Sequence, residues 1–381
     1  QQALAEGSGA QVASVLARGD LQASGEHEVT VTFEQPFASY LDAFAALPVV
    51  DSETFDGIET GDNLVGTGPF VWDGWTPGSG FELVRNDDYW GGALPFGQLS
   101  ARVIAEPQAA LAAMRSGDLD LFAGMVARDA SSLERSGFEL FSSPSYDYYV
   151  GLNTAVAPFD DVRVRQAVAY AIDRDRIVDQ VFSGLAEPTS IPWASDTPGV
   201  TPEMVNHYSY DLDRARELIA EAGAEGAEVK ITPSPQLPSY SAVAEIVQFG
   251  LSEIGLSPQS AVVDPAEFPT RMQGGEFEGI WVAIVGLTTL GPTTTLLTAN
   301  PLRADKNTHN HVTDEYQQLV AAVVDAGTAE DQATATGELT EYMLEQAFHN
   351  SVVQSSDLTV GVEGMAGVGF DATLALVLNE A

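Results

Sequence analysis

The amino-acid sequence predicts an α/β protein of more than one domain, and three observations predict it. Its 381 residues allow two to three domains at about 150 residues each. Strand-like runs with apolar residues at alternate positions interchange with helical runs whose apolar residues recur every three to four positions, which is the α/β pattern. Near residue 147 short strands punctuated by Gly and Pro give way to long capped helices, marking a crossover between two parts of the chain.

Glu28 to Phe33 (EVTVTF) alternates Val29, Val31 and Phe33 with polar residues and reads as a half-buried strand, ended by Pro36. Between Gly61 and Gly92, Gly and Pro flank two short strands, Phe70 to Trp72 and Phe81 to Arg85, in a hairpin-like region. Ala101 to Ala105 reads as a strand, Pro107 as the first position of a helix reaching about Ser116, and Leu119 to Ala123 as a strand after the Gly117-Asp118 turn. That βαβ order predicts a parallel pair. Tyr146 to Asn153 is extended. Asp161 caps a helix with Val164, Ala167, Val168, Ala171 and Ile172 on one face. Asp173 caps a second with Ile177, Val178 and Val181, and Asp211 caps a third that Gly223 ends. Strands follow at Val229 to Thr232, Gln259 to Val263 and Gly279 to Val285, with a helix from Tyr240 to Ile254. Helices near Thr313 to Ala326 and Ala329 to Gln346 precede an apolar tail.

Charge narrows the partners. Lys and Arg total 16 against 55 Asp and Glu, a net −39, and only Lys230 and Lys306 are lysines. Charged residues make up 19% of the chain, below the ~25% usual in soluble domains, so bases are missing more than acids are added. With no basic stripe, counterion-release binding to nucleic acid has no footing, and anionic lipid repels the chain. Zero cysteines exclude disulfides, thiolate metal sites and Cys nucleophiles. The longest apolar run, Ile280 to Leu287, falls well short of the ~18 residues of a membrane-spanning helix. The opening QQALAEGSGA lacks the basic and apolar regions of an export signal, which either never existed or lies upstream.

Few residues suggest catalysis. GTGPF, Gly66 to Phe70, lacks the spacing and Lys-Ser/Thr of a phosphate-binding loop and reads as a turn. His309 and His311 are near neighbours while His27, His207 and His349 are distant. A metal site needs three or four converging ligands, so surface or capping roles are expected for all five and no metal or other cofactor is expected. Arg163, Arg165, Arg174 and Arg176 sit beside Asp160, Asp161, Asp173 and Asp175 and read as an exposed charge network on two capped helices. Asp87 and Asp88 are adjacent on one loop, unlike glycosidase carboxylates, which face each other ~5–10 Å apart.

Taken in order, several segments resemble the extracytoplasmic solute-binding proteins of ATP-binding-cassette importers, in the peptide/nickel/opine class, family 5. They are GTGPF with ELVRNDDYWGG (Glu82 to Gly92), AALAAMRSGDLDLFAG (Ala109 to Gly124), GLNTAVAPFDDVRVRQAVAYAIDRDRIV (Gly151 to Val178), YSYDLDRARELIAEAG (Tyr208 to Gly223) and IGLSPQSAVVDPAEFPTRMQGGEFEG (Ile254 to Gly279). The resemblance implies a two-lobed periplasmic-binding-protein-like fold of class II type, with two mixed sheets flanked by helices. A two-stranded hinge would join the lobes, which close on ligand in the cleft between them. By analogy, residues 1–147 form lobe I, 148–359 lobe II, and 360–381 return to lobe I. Members of the class normally start with a signal or lipoprotein Cys, first-lobe strands and a small extra subdomain. None of these precedes Gln1, so an N-terminally truncated chain with an incomplete first lobe is expected.

The resemblance also implies a site. In peptide-binding members an Asp in a Trp-x-x-Asp-type loop after a lobe II strand holds the ligand's α-ammonium. Here Pro292 sets a register that puts Thr288 at the Asp position and Val285 at the Trp position; a shifted register puts Trp281 at the aromatic position instead. Truncating one partner of such a charge pair costs ~2–5 kcal/mol, which argues against a plain free-amine peptide. The hydroxyls of Gly286 to Thr295, Thr288 and Thr289 among them, suit a neutral polyol, an oligosaccharide or a blocked peptide. Trp281 or Trp193 is expected to stack on a sugar face. Tyr146, Tyr148 and Tyr149 at the crossover read equally as strand packing and as cleft lining. The expected function is that of a non-enzymatic, monomeric receptor. It captures a small-molecule solute outside the cytoplasm, in the periplasm or at the outer face of the cytoplasmic membrane, where a lipid anchor in the full-length protein would hold it, and delivers it to importer permease subunits. A secreted hydrolase using cleft carboxylates and an adhesive or signalling ectodomain on the same scaffold are the alternatives.

Overall fold

The computed structural model describes residues 18–34, 40–45, 51, 53–54, 57, 64–92, 94–286, 291–365, 367–370 and 376–378. Its elements run β1 (Gly19–Gly25), β2 (Glu28–Phe33), α1 (Tyr40–Ala45), β3 (Phe70–Thr76), β4 (Gly80–Arg85), β5 (Gln98–Arg102), α2 (Pro107–Ser116), β6 (Leu121–Ala123), α3 (Ala127–Glu134) and β7 (Glu139–Leu152). Then come α4 (Val162–Tyr170), α5 (Arg174–Val181), β8 (Glu187–Pro188), α6 (Pro202–Val205), α7 (Leu212–Ala222), β9 (Glu228–Pro233), α8 (Pro238–Glu253), β10 (Ser257–Ser260), α9 (Phe268–Gly274) and β11 (Ile280–Gly286). The chain finishes with α10 (Gly291–Thr298), α11 (Asp314–Val324), α12 (Ala329–Gln346), β12 (His349–Gly361), β13 (Val368–Phe370) and β14 (Leu376–Leu378).

Two units divide the chain. The larger holds β1, β2, α1 and residues 144–356; the smaller holds 47–143 and 357–381. In the larger unit the side chains of Asp161, Asp173 and Asp211 accept bonds from the backbone N–H groups of Arg163, Arg176 and Arg214, capping α4, α5 and α7. Each cap satisfies a donor that the helix itself leaves unpaired. Gly223 ends α7 at φ 67°, a left-handed conformation that side chains disfavour. The shared face of α4 and the residues after it, Val164, Ala167, Val168, Ala171 and Ile172, is buried. Strands lie in the order β10-β9-β11-β7-β12, with β8 on β12. β10, β9 and β11 are parallel, and β7 runs antiparallel to β11 from Ile280 opposite Leu152 to Gly286 opposite Tyr146. One core cluster gathers Tyr149, Phe268, Phe277, Trp281 and Val285. A second gathers Trp193, Tyr208, Tyr316, Leu339 and Phe348.

The smaller unit contains an antiparallel sheet, β3-β4-β5, with Trp72 stacked on Phe81 at 5.5 Å. α2 leads into β6, which pairs antiparallel with the end of β12, Ala123 opposite Thr359 and Leu121 opposite Gly361. β13 and β14 form a short hairpin.

Several expectations change. β5 and β6 do not form a parallel pair: β5 pairs with β4, and β6 pairs antiparallel with β12. The first strand covers Gln98–Arg102 rather than Ala101 to Ala105, because Arg102 already lies opposite Gly80, the first residue of β4. β10 spans Ser257–Ser260 rather than Gln259 to Val263; beyond it Val262 is 93% exposed. β12 was not anticipated as a long strand. Its Asn350, Ser351, Gln354 and Ser355 are buried along with its apolar residues, so the alternation that betrays a half-buried strand is missing.

Candidate functional site

Ligands of open α/β sheets bind beyond the carboxyl ends of the strands. In the larger unit β9 and β11 are neighbours that end at Pro233 and Gly286. After β9 the Ser234 N–H donates to Val282 O at 2.9 Å, and the chain turns into α8 at Pro238. Because β7 runs the other way, its early residues reach the same edge, with Tyr146 opposite Gly286 and Tyr148 opposite Ile284. The Tyr148 phenol lies 3.1 Å from Ser239 Oγ, while its ring packs on Phe182 at 4.9 Å and Tyr240 at 5.3 Å. Hydroxyls therefore gather where the backbone leaves the sheet. Thr288 and Thr289 lie outside the described residues.

The other candidates are elsewhere, for a reason set by strand geometry. Successive side chains point to opposite faces, so Trp281 and Val285 share a face with Tyr149 and Asp147, while Tyr146 and Tyr148 point away from it. Trp281 is 1% exposed, its Nε1 donates to Tyr149 Oη at 3.3 Å, and its ring stacks on His309 at 5.2 Å. Trp193, 2% exposed, donates from Nε1 to Thr340 Oγ1 at 2.9 Å inside the second core cluster. Neither indole has an open face for a sugar in this structure, and Val285 is likewise buried. The described candidates are thus not brought together into one site.

The histidine and arginine expectations also need correction. His309, His311 and His349 are buried, not superficial. Asp147 Oδ2 lies 2.8 Å from His349 Nε2, His349 Nδ1 lies 3.1 Å from His309 Nε2, and His309 Nδ1 lies 3.2 Å from Leu152 O. Burial pushes the Asp147 carboxyl up and, aided by the neighbouring His349, holds His309 well below its usual range. Burial pushes His311 down to about 4; its Nε2 lies 2.9 Å from the Tyr342 phenol. Arg165 and Arg174 are buried and bonded mainly to backbone carbonyls, not displayed in a surface network. Those carbonyls of Ala169, Thr189, Tyr208 and Ser351 surround the Arg174 guanidinium, which burial pushes down to about 10. Composition could not reveal this, because the acceptors are main-chain atoms from distant segments.

A polar cavity of about 340 Å³ is lined by Gln273, Gly274, Asn300, Arg303, Asp305 and Lys306. It follows α9, whose next residue Gly275 accepts from Asn153 at the far end of β7 from Tyr146. Its arginine is already engaged, with Nε and Nη2 of Arg303 donating to Asp305 at 3.1 and 2.8 Å.

The sequence model for bacterial extracellular solute-binding proteins, family 5, middle region, matches residues 4–301. The chain belongs to this family. A putative ABC transporter peptide-binding protein of Brucella ovis is 28% identical over 279 residues, covering 69% of this chain and 52% of the relative. A glutathione-binding protein of Escherichia coli is 27% identical over 260 residues, covering 65% and 49%. The chain therefore spans about half the length of the curated relatives it matches. The solved structure of HbpA2 from Haemophilus parasuis superposes with a TM-score of 0.80 at 20% identity, over 94% of this chain and 74% of that one. The fold is that of the two-lobed extracytoplasmic binding proteins. Both curated relatives are named as binding proteins. Among the described residues of this family 5 chain, no helix is long and apolar enough to cross a membrane, and no group of three or more His, Asp or Glu side chains is arranged to hold a metal ion.

Proposed function

We propose that the chain is part of the substrate-binding receptor of an ABC importer, capturing a peptide-class or related neutral solute and presenting it to the permease subunits without changing it chemically. The observation that carries this reading is the family match over residues 4–301. The carboxyl edge of β9 and β11 supports it by placing tyrosine and serine hydroxyls at the position where such sheets take ligands. Tyr146, half-buried at that edge, is the ligand-facing side chain of this reading. The receptor works outside the cytoplasm as a monomer. A hydrolase gains nothing from the Asp147 and His349 pair, because both side chains are fully enclosed.

A thermal-shift panel of short peptides, glutathione, N-blocked peptides, oligosaccharides and opines tests the reading. A solute at 100 times its Kd adds ~2.7 kcal/mol to stability, which appears as a clear upward shift. No shift with any class, on a chain that unfolds cooperatively, argues against it.

A further inference from the structure

The buried chain of contacts from Asp147 to Leu152 has a proton count that geometry fixes. A carbonyl oxygen only accepts, so the 3.2 Å contact with Leu152 O places a proton on His309 Nδ1. Burial disfavours the charged His309 ring, so it accepts at Nε2 and His349 donates from Nδ1 across 3.1 Å. At the last contact, 2.8 Å between His349 Nε2 and Asp147 Oδ2, two bare acceptors would repel, so one proton lies between them. We propose that Asp147, His349 and His309 form an internal site for one proton, shared between the Asp147 carboxyl and His349, which fixes both imidazole tautomers and ties β7 to β12 and to the 307–311 segment.

Among the described residues, aromatic rings and one arginine pack around the relay. Tyr149 of β7 stacks on His349 at 4.2 Å, Trp281 of β11 stacks on His309 at 5.2 Å, and Phe348 meets His309 at 5.4 Å. Burial raises the Tyr149 phenol, which keeps it neutral. His311 is also near His309 and, held down by burial, is neutral at pH 7. Arg174 of α5 and Ser351 of β12 face Asp147, and the Arg174 charge is held by its carbonyl cage. Apart from the neighbouring Ser351 hydroxyl, Asp147 Oδ1 has no hydrogen-bond donor beside it among the described residues. The weakly partnered carbonyl-type oxygen of a protonated acid costs less to bury than an oxygen of a bare carboxylate. The raised Asp147 titration agrees with the same assignment. The inference does not depend on which solute the receptor binds.

Asp147→Asn supplies the decisive comparison, because an amide N–H donates to His349 Nε2 in place of the shared proton and cannot titrate. The native wild type then holds one proton more than the native variant, while both unfolded chains differ only by an ionised Asp. The ratio of their folding constants, from urea unfolding, should fall about tenfold per pH unit between about pH 6 and 8. A ratio independent of pH overturns the proposal. Should the variant fail to fold, imidazole ¹⁵N spectra of the wild-type chain decide the matter. His309 fixed as the Nδ1-protonated tautomer, with His349 Nδ1 protonated, supports the relay; averaged tautomers, or His309 protonated at Nε2, overturn it.

Discussion

Trp281 dictates the residue opposite it. Gly151 faces Trp281 in register, and a Cβ at Gly151 would stand 2.1 Å from the indole. Gly151→Ala should therefore destabilise the larger unit by at least ~1–3 kcal/mol by overpacking. Trp281→Ala should cost ~3–5 kcal/mol. Combined, the two should cost less than their sum, since removing the ring makes room for the methyl; urea unfolding of both single variants and the double variant measures the difference. His311 makes a pH prediction of definite sign. Its folded value of about 4 lies below the ~6.5 of an unfolded histidine, so the unfolded chain binds the extra proton first. The stability it contributes is complete above pH ~6.5 and is lost as pH falls toward 4, a loss of about 3 kcal/mol. His311→Gln, which keeps a donor and an acceptor near Tyr342, should remove that part of the acid limb in paired urea titrations. At this scale the sequence was least legible: a tryptophan is equally a sugar platform or a core side chain until its strand face is known, and spacing alone does not show that His309 and His349 meet.

Elements with local signals were readable, and those with distant partners were not. The caps Asp161, Asp173 and Asp211 and the stop at Gly223 are written within a turn of the helices they bound, which is why those helices stand where the residues predict. Asp211→Ala should lower stability by about 1 kcal/mol through loss of the bond to the Arg214 N–H, and Asp211→Ser should recover most of it in the same denaturation assay. The β6 pairing fails as a local inference because its partner, β12, lies more than two hundred residues away. β12 itself escaped notice because it buries polar and apolar residues together. The extended run from Tyr146 to Asn153 was readable as part of a strand, but nothing local says that the Tyr148 phenol lies beside Ser239.

For the molecule as a whole, family membership was legible from the order of five motifs, an extended signal that survives low identity. Net charge, in contrast, names no ligand. A charge of −39 also opposes the folded state through self-repulsion. Shortening the screening length from ~10 Å at 0.1 M to ~3 Å at 1 M salt should raise the melting temperature in sodium chloride, a shift that calorimetry reads directly. Tyr146→Ala should weaken solute binding about tenfold, ~1.4 kcal/mol, without a comparable loss of stability, which separates a ligand contact from a core residue. The central claim, capture of a solute without chemistry, is tested most directly by native mass spectrometry of the protein mixed with short peptides, blocked peptides, glutathione and oligosaccharides. The account predicts a saturable one-to-one complex from which the solute is released with its mass unchanged; a solute cleaved on release, or no complex with any member of the mixture, would contradict it.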